Sequence, residues 1–120
     1  MIIVDVDDTV LRYGNRPISR TIEYINSLDE EVVIITGRYS SRRKETADAL
    51  RRAGLRFSRI FLRPSGDGEA SSVPYKKKTA QSLKTQGKIT LAIDNDQAAR
   101  AAYASLGIPT KNPASLPKIV

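Results

Sequence analysis

The sequence predicts an α/β fold, a Rossmann-like three-layer sandwich in which a central parallel sheet lies between two layers of helices. Short apolar runs alternate with segments of helical periodicity along the chain, which is the pattern of repeated βαβ units. Each apolar run is followed closely by turn residues or acidic residues. No long interior linker interrupts the alternation, so we expect one domain, residues 1–120.

The predicted strands are short runs rich in Val and Ile, without the polar alternation of a half-buried strand. Continuous apolar runs are typical of parallel strands that are covered on both faces. Asp5 and Asp94 lie near the ends of the first and fourth runs, Gly37 closes the second, and a turn is expected at 14–17. In chain order, the five predicted strands are 1–6, 32–36, 57–62, 88–94 and 108–110.

The predicted helices lie between these strands. Isoleucines recur at helical spacing in the first helix. The second is expected to begin with Ser40 or Ser41 as its N-cap and to end before Gly54. A third follows Pro74, and Gly107 is expected to stop the Ala-rich fourth. The segments are therefore 19–28, about 40–53, the residues after Pro74, and 97–106.

The composition excludes several kinds of chemistry. The chain has no Cys and no His, so disulfides, thiol catalysis, His-dependent triads and His-ligated zinc are excluded. Any metal must be bound by oxygen, which suits Mg²⁺, Ca²⁺ or Mn²⁺. No apolar run approaches the length of a membrane span, and the first residues lack a signal-peptide pattern. We therefore expect a cytoplasmic protein that does not enter a membrane.

The net charge of +7 is unevenly distributed. Residues 1–31 carry three basic and seven acidic side chains, residues 38–63 carry nine basic and two acidic ones, and residues 76–88 carry five basic and none acidic. The acidic first third suits a cation site. The basic middle suits either a polyanion such as nucleic acid or an ordinary solvated helix surface, and composition does not distinguish the two.

Three carboxylates follow the first predicted strand in Asp5-Val6-Asp7-Asp8-Thr9. Carboxylates this close repel one another, and a hard divalent cation between them removes the repulsion. In such a site, one carboxylate can attack phosphorus while the other transfers the proton of the leaving oxygen. The alternative is an acidic turn at the end of a strand.

Other groups suited to phosphate follow later strands. The hydroxyl of Thr36 and the amide of Gly37 can donate to a phosphoryl oxygen, although an ordinary turn has the same pattern. One ammonium among Lys76, Lys77 and Lys78 would offset phosphate charge, and a solvated lysine run is the alternative.

Asp94-Asn95-Asp96 follows the fourth predicted strand. A carboxylate there can complete a metal site with the first acidic motif, or it can cap the next helix, a role that Asp96 can fill alone. In parallel sheets the ligand crevice lies outside the carboxyl ends of the strands. Asp5, Thr36 and Asp94 are therefore expected to share one site.

These motifs, in this order, resemble those of the haloacid dehalogenase (HAD) superfamily of phosphohydrolases. The matching segments are Asp5-Val6-Asp7-Asp8-Thr9, Ile35-Thr36-Gly37-Arg38, a lysine in Tyr75-Lys76-Lys77-Lys78, and Ile93-Asp94-Asn95-Asp96. The resemblance implies a Rossmann-like core with a small flap after the first strand. No cap domain fits between Leu11 and Val32, so a capless core is expected.

The resemblance also implies roles for individual residues. Asp5 would be the nucleophile and Asp7 the general acid and base. Thr36, with Gly37, would bind phosphate, and Lys76 is favoured as the phosphate anchor, with Lys78 second. Mg²⁺ would be held by Asp5, the backbone carbonyl of Asp7, and Asp94.

Within the superfamily, the chain most resembles the 3′-phosphatase domains of phage polynucleotide kinase-phosphatases. The similarity lies in Arg16 of the flap, in Arg38 after the Thr-Gly pair, and in the stretch 63–67. It implies that Arg16 and Arg38 contact phosphate. Those domains have a second acidic residue where this chain has Asn95, so either Asp96 substitutes or the metal binds more weakly.

We therefore expect a Mg²⁺-dependent phosphomonoesterase with an aspartyl-phosphate intermediate. An uncapped site favours large substrates, such as polynucleotide ends or phosphoproteins, and we expect the substrates to be terminal 3′-phosphates of nucleic acid, or nucleotides. The alternatives are a phosphatase for small sugar phosphates and a non-catalytic, polyanion-binding module with the HAD fold. Arg42 and Arg43, at the start of the helix after the Thr-Gly turn, are expected to lie near the crevice, and Arg51 and Arg52 away from it.

Overall fold

The structure, a computed structural model that describes residues 1–119, is built on a five-stranded parallel sheet. The strands in chain order are β1 (Ile2–Val4), β2 (Leu11–Arg12), β3 (Arg16–Pro17), β4 (Val32–Tyr39), β5 (Arg59–Arg63), β6 (Leu91–Ile93) and β7 (Thr110–Lys111). The sheet has the order β5-β4-β1-β6-β7, while β2 and β3 form a separate antiparallel hairpin. The central position of β1 places the first acidic motif in the middle of the sheet edge.

Helices cover both faces of this sheet, and the three-layer prediction is confirmed. They are α1 (Ser19–Asn26), α2 (Arg43–Arg52), α3 (Val73–Leu83) and α4 (Gln97–Ser105). On β1, Ile2 and Val4 pack in a core with α1 and α2, while Ile3 packs in a second core with α3 and α4. Within residues 1–119, no helix is both long and apolar enough to cross a bilayer.

The structure differs from the sequence prediction around the second strand. β4 does not end at Thr36 but continues to Tyr39, because it stays paired with β5 through a register shift between Thr36 and Tyr39. A 3₁₀ turn at Ser40–Arg42 follows, and α2 begins only at Arg43. The predicted serine N-cap is wrong, since no side chain caps α2.

A small hairpin, residues 11–17, lies between β1 and α1 and is called the flap below. Its tip is a short 3₁₀ turn, Tyr13–Asn15, in which Gly14 has φ 75° and Asn15 has φ 58°. Leu11 is buried at its base, whereas the rest of the flap is largely exposed. No cap domain is present at this point, in agreement with the predicted capless core.

Candidate active site

Asp5 lies directly after β1 and is almost completely buried. Its Oδ1 accepts a hydrogen bond from Nζ of Lys76 at 3.1 Å, and its Oδ2 accepts one from Oγ1 of Thr9 at 3.0 Å. Burial raises the pKa of Asp5 to about 7; repulsion from Asp94 adds to this effect, and Lys76 opposes it. The site therefore holds a carboxylate whose negative charge is poorly solvated.

Lys76 is the lysine that α3 directs into the site, while Lys77 and Lys78 are exposed. Its Nζ lies 2.7 Å from Oδ2 of Asp94, in addition to its contact with Asp5. Burial acts to lower the pKa of Lys76, but attraction to the two carboxylates outweighs it and raises the pKa. One ammonium thus lies between two buried carboxylates, which leaves the cluster short of positive charge.

Asp94 and Asn95 are neighbours that point to different partners. Both side-chain oxygens of Asp94 are engaged, one by Lys76 and the other by the backbone N–H of Asp96 at 2.9 Å. The amide of Asn95 faces Oδ2 of Asp5 and the backbone carbonyl of Asp7, to which its nitrogen donates at 3.0 Å each. Asp96 caps α4 by accepting from Ala99 N at 3.0 Å.

These contacts show which atoms suit a metal. Among residues 1–119, no three side chains of His, Cys, Asp or Glu are grouped to hold an ion. The groups that converge instead are the carboxylate of Asp5, the backbone carbonyl of Asp7 and the amide of Asn95, which can present its oxygen at this point when its two ends are exchanged. Carboxylate and carbonyl oxygens are the ligands that Mg²⁺ prefers, and Mg²⁺ sites use few carboxylates. The donor set fits this ion.

Arg38 contacts Asp7. Its guanidinium donates from Nη2 to Oδ1 of Asp7 at 2.8 Å and from Nε to Oδ2 at 3.1 Å. It also donates to Oγ1 of Thr46 at 3.1 Å and to Oδ1 of Asn15 at 2.8 Å. Arg38 was expected to contact phosphate, but in the structure its donors are directed to protein groups.

Thr36 and Gly37 lie next to the start of α3. Thr36 is fully buried, and its Oγ1 accepts from the backbone N–H of Arg38 at 3.1 Å, which leaves its hydroxyl proton for another acceptor. A Cβ atom on Gly37 would lie only 2.7 Å from Cβ of Ser72. The absence of a side chain therefore allows the start of α3 to approach this part of β4.

Arg16 lies in the exposed flap, where its Nε donates to the carbonyl of Tyr13 at 3.2 Å. In the described part of the chain it makes no hydrogen bond to Asp5, Asp7 or Lys76. The structure therefore brings Lys76 together with Asp5 and Asp94, and Arg38 together with Asp7, whereas Arg16 forms no hydrogen bond with these residues.

Two site residues received no role from the sequence. Thr9 lies between Asp5 and the backbone N–H of Asn95, from which its Oγ1 accepts at 3.2 Å. Its place in the first acidic motif was an available signal. Asn15 joins the flap to Arg38 and donates to Glu45 at 2.9 Å. Nothing local in the sequence indicates this long-range contact.

A cavity of about 510 Å³ lies away from these residues. It lies near the amino ends of β4 and β5, among residues 25–32 and 56–58, and includes none of the residues above. The buried charges mark the site instead, because a buried carboxylate with a raised pKa, beside a buried lysine, indicates function more specifically than cavity size.

Comparisons with known proteins agree with the fold. A family model described as HAD superfamily, subfamily IIIB (Acid phosphatase), matches residues 15–98, a range that includes Thr36, Lys76 and Asp94. Two solved structures of the Pnkp1/Rnl/Hen1 RNA repair complex are similar, each at 14% sequence identity, with TM-scores of 0.76 and 0.73. Each similarity covers 92% of this chain but only 41% and 44% of the other chains. No curated protein matches the sequence.

Proposed function

Since this chain belongs to subfamily IIIB of the haloacid dehalogenase superfamily and is a phosphatase, we propose that it hydrolyses phosphate monoesters with Mg²⁺ through a phosphorylated Asp5. The observation that carries the proposal is the environment of Asp5. Its carboxylate is buried at the end of the central strand and is bonded to Lys76 and Thr9. With no Cys or His in the chain, this carboxylate is the best placed nucleophile.

In the first step, a carboxylate oxygen of Asp5 forms a bond to phosphorus while the bond to the leaving oxygen breaks. Asp7 gives its proton to that oxygen, which departs as an alcohol. Lys76 and the hydroxyl of Thr36 offset the charge of the phosphoryl oxygens. In HAD enzymes the bound Mg²⁺ supplies further neutralisation of this charge.

In the second step, Asp7 accepts a proton from a water molecule whose oxygen bonds to phosphorus. The bond between phosphorus and Asp5 then breaks, which restores the carboxylate and releases inorganic phosphate. Arg38 holds the carboxylate of Asp7 in place for both proton transfers.

We assign the metal ligands to the carboxylate of Asp5, the backbone carbonyl of Asp7 and the side-chain carbonyl of Asn95. This set differs from the expected one, because it is the amide of Asn95 that lies 3.0 Å from both Oδ2 of Asp5 and the carbonyl of Asp7, whereas Asp94 contacts Lys76 and the N–H of Asp96. An amide has a nitrogen that donates and an oxygen that accepts, and the oxygen of Asn95 is the end that would bind a cation held beside Asp5 and the carbonyl of Asp7.

Thermal stability tests this assignment without measuring catalysis, since an ion that binds the native state raises Tm. We expect Mg²⁺ to raise the Tm of the wild-type protein, Asn95→Asp to increase that shift by adding charge, and Asn95→Leu to remove it. Asp96→Asn, which keeps the helix cap, is the control. Mg²⁺ should raise its Tm by as much as it raises that of the wild-type protein. A normal Mg²⁺ shift in Asn95→Leu would contradict the assignment.

For the substrate, we propose terminal 3′-phosphates of nucleic acid, or nucleotides. The basic segment 38–63 and the open flap support a polyanionic substrate, and the structural neighbours belong to an RNA repair complex. The test compares kcat/KM for 3′-phosphorylated and 5′-phosphorylated oligonucleotides, mononucleotides and sugar phosphates, each with Mg²⁺ at two salt concentrations.

We expect the 3′-phosphorylated oligonucleotide to be hydrolysed with the highest kcat/KM, and its advantage to fall as salt increases. A preference for sugar phosphates that does not depend on salt would instead support the small-metabolite alternative. Salt-dependent oligonucleotide binding without hydrolysis of any phosphomonoester would support the non-catalytic alternative.

A further inference from the structure

A second cavity, about 420 Å³, adjoins the catalytic centre. It lies between the flap, α1 and the turn Pro113–Ser115, and it shares Thr9 and Asn95 with the site described above. A substrate whose phosphate lies at Asp5 would therefore be able to extend into this cavity. The volume falls within the range of small-molecule sites.

The polar lining of this cavity is dominated by donors. Arg12 is exposed and, among residues 1–119, its side chain makes no hydrogen bond or ion pair. Arg20 uses one Nη2 contact, to the carbonyl of Leu116 at 2.5 Å. Asn112 accepts from Ala114 N at 3.1 Å through its side-chain oxygen, so its amide nitrogen is the end left for a ligand.

Among the lining residues, Asp8 supplies one carboxylate, and Arg12 and Arg20 supply two guanidinium groups. The side chains of Ile18 and Pro113 add apolar wall. Arginine forks match the geometry of phosphate, and apolar walls suit the non-charged part of a nucleotide. The cavity therefore has the chemistry of a site for an anion joined to a less polar group.

We infer that this cavity binds a second phosphate group of the substrate, with Arg12 as its main ligand. The inference rests on the proposed function and narrows its substrate to molecules with two phosphates joined through a sugar. That second phosphate has two sources, the internucleotide phosphate of a polynucleotide end or the 5′-phosphate of a nucleoside 3′,5′-bisphosphate.

The test measures equilibrium binding to the Asp5→Asn protein, so that no turnover is needed. The probes are a nucleoside 3′-monophosphate, the matching 3′,5′-bisphosphate and a dinucleotide with a 3′-terminal phosphate. We expect the probes with two phosphates to bind more tightly than the monophosphate. Adding Arg12→Ala should reduce that preference about tenfold, the cost of a charge-assisted hydrogen bond. The probe with the greater loss identifies the source.

Arg52→Ala is the matched control, because Arg52 is exposed near the end of α2 and does not line the cavity. It should leave the preference unchanged. Arg12→Glu, which reverses the charge, should abolish the preference, and the Tm of each variant checks its folding. An unchanged preference in Arg12→Ala, or an equal loss for all three probes, would overturn the inference. Hydrolysis of an aryl phosphate by the wild-type protein, measured separately, tests the proposed function alone.

Discussion

Arg38 contacts Asp7 through two parallel hydrogen bonds, with Nη2 2.8 Å from Oδ1 and Nε 3.1 Å from Oδ2. The side chain of Asp7 is 55% exposed, whereas that of Arg38 is only 3% exposed. A buried guanidinium fork thus fixes a carboxylate that solvent would leave mobile. This relationship identifies Arg38 as a positioning residue for the proposed general acid.

We expect Arg38→Lys to lower kcat more than it changes KM, because lysine keeps the charge but loses the fork. The loss in kcat/KM, which reports the first step, should be about 100-fold for an alkyl phosphate, the scale of general acid catalysis, and smaller for p-nitrophenyl phosphate, whose leaving group needs little protonation. Steady-state kinetics on the two substrates measure the difference.

Thr46→Val is the control for this prediction. It removes one contact of Arg38 but leaves the fork on Asp7 intact. Thr46→Val should lower Tm without changing the ratio of the kcat/KM values for the two substrates. If Arg38→Lys instead raised KM equally for both, Arg38 would be a phosphate ligand, as its place after the Thr-Gly pair suggested.

Asp5→Asn should lower the activity of the protein but raise its stability. The ammonium of Lys76 lies between the buried carboxylates of Asp5 and Asp94. Asp5→Asn therefore leaves one positive charge paired with one negative charge. We expect turnover below about 1% of wild type, a typical loss for a nucleophile. In chelator we expect Tm to rise by about 4 °C, the scale of a gain near 1 kcal/mol. Asp96→Asn should retain wild-type turnover. Substantial turnover by Asp5→Asn would exclude Asp5 as the nucleophile.

The close approach of Gly37 to Ser72 predicts a specific steric cost. A Cβ on Gly37 would lie 2.7 Å from Cβ and 2.8 Å from Oγ of Ser72. We expect Gly37→Ala to reduce the free energy of unfolding by about 1–3 kcal/mol, as overpacking does. Ser72→Gly should restore part of that loss in a double-mutant cycle measured by urea unfolding.

Gly87→Ala is the matched control, because its Cβ would meet only the flexible end of Met1, at 3.3 Å. It should cost much less than Gly37→Ala. If the Gly37 and Ser72 substitutions had independent effects on stability, the two segments would not be in contact in solution.

The sheet and its two helix layers could be predicted because the strand pattern and the helix pattern in the sequence indicate the same fold. Buried parallel strands require continuous apolar runs, and the spacing of helical residues marks the layers between them. The position of Asp5, Thr36 and Asp94 at one edge follows from the parallel order alone. The flap strands, two residues each, are too short to produce a periodic signal.

The directions of neighbouring side chains at the site could not be predicted. Asp94 and Asn95 are adjacent, yet one binds Lys76 and the other faces Asp5. That difference depends on where α3 places Lys76, which only the folded chain determines. Arg38 likewise turns toward Asp7 while its Nη2 also donates to Asn15 and its Nη1 donates to Thr46, contacts that join residues distant in the sequence.

Arg42 and Arg43 are adjacent in the sequence, but the structure directs them to different places. Arg42 pairs with Glu45, with Nη2 2.6 Å from Oε2, and Glu45 also accepts from Asn15 of the flap. Arg43 donates to the carbonyl of Ile60 at 3.2 Å, toward β5. Arg42 thus lies beside the flap and the Asp7–Arg38 pair, whereas Arg43 does not.

If the substrate is a polynucleotide, we expect Arg42, the residue directly before α2, to contact a phosphate beyond the one being cleaved. We expect Arg42→Ala to raise KM for a 3′-phosphorylated oligonucleotide and to lower the slope of log KM against log salt by about one. Hydrolysis of a small aryl phosphate should hardly change. Arg43→Ala and Arg51→Ala are matched controls and should leave both substrates unaffected. Equal losses on both substrates in Arg42→Ala would mean that Arg42 acts through the catalytic residues, and no loss on either would leave the basic surface as solvated charge.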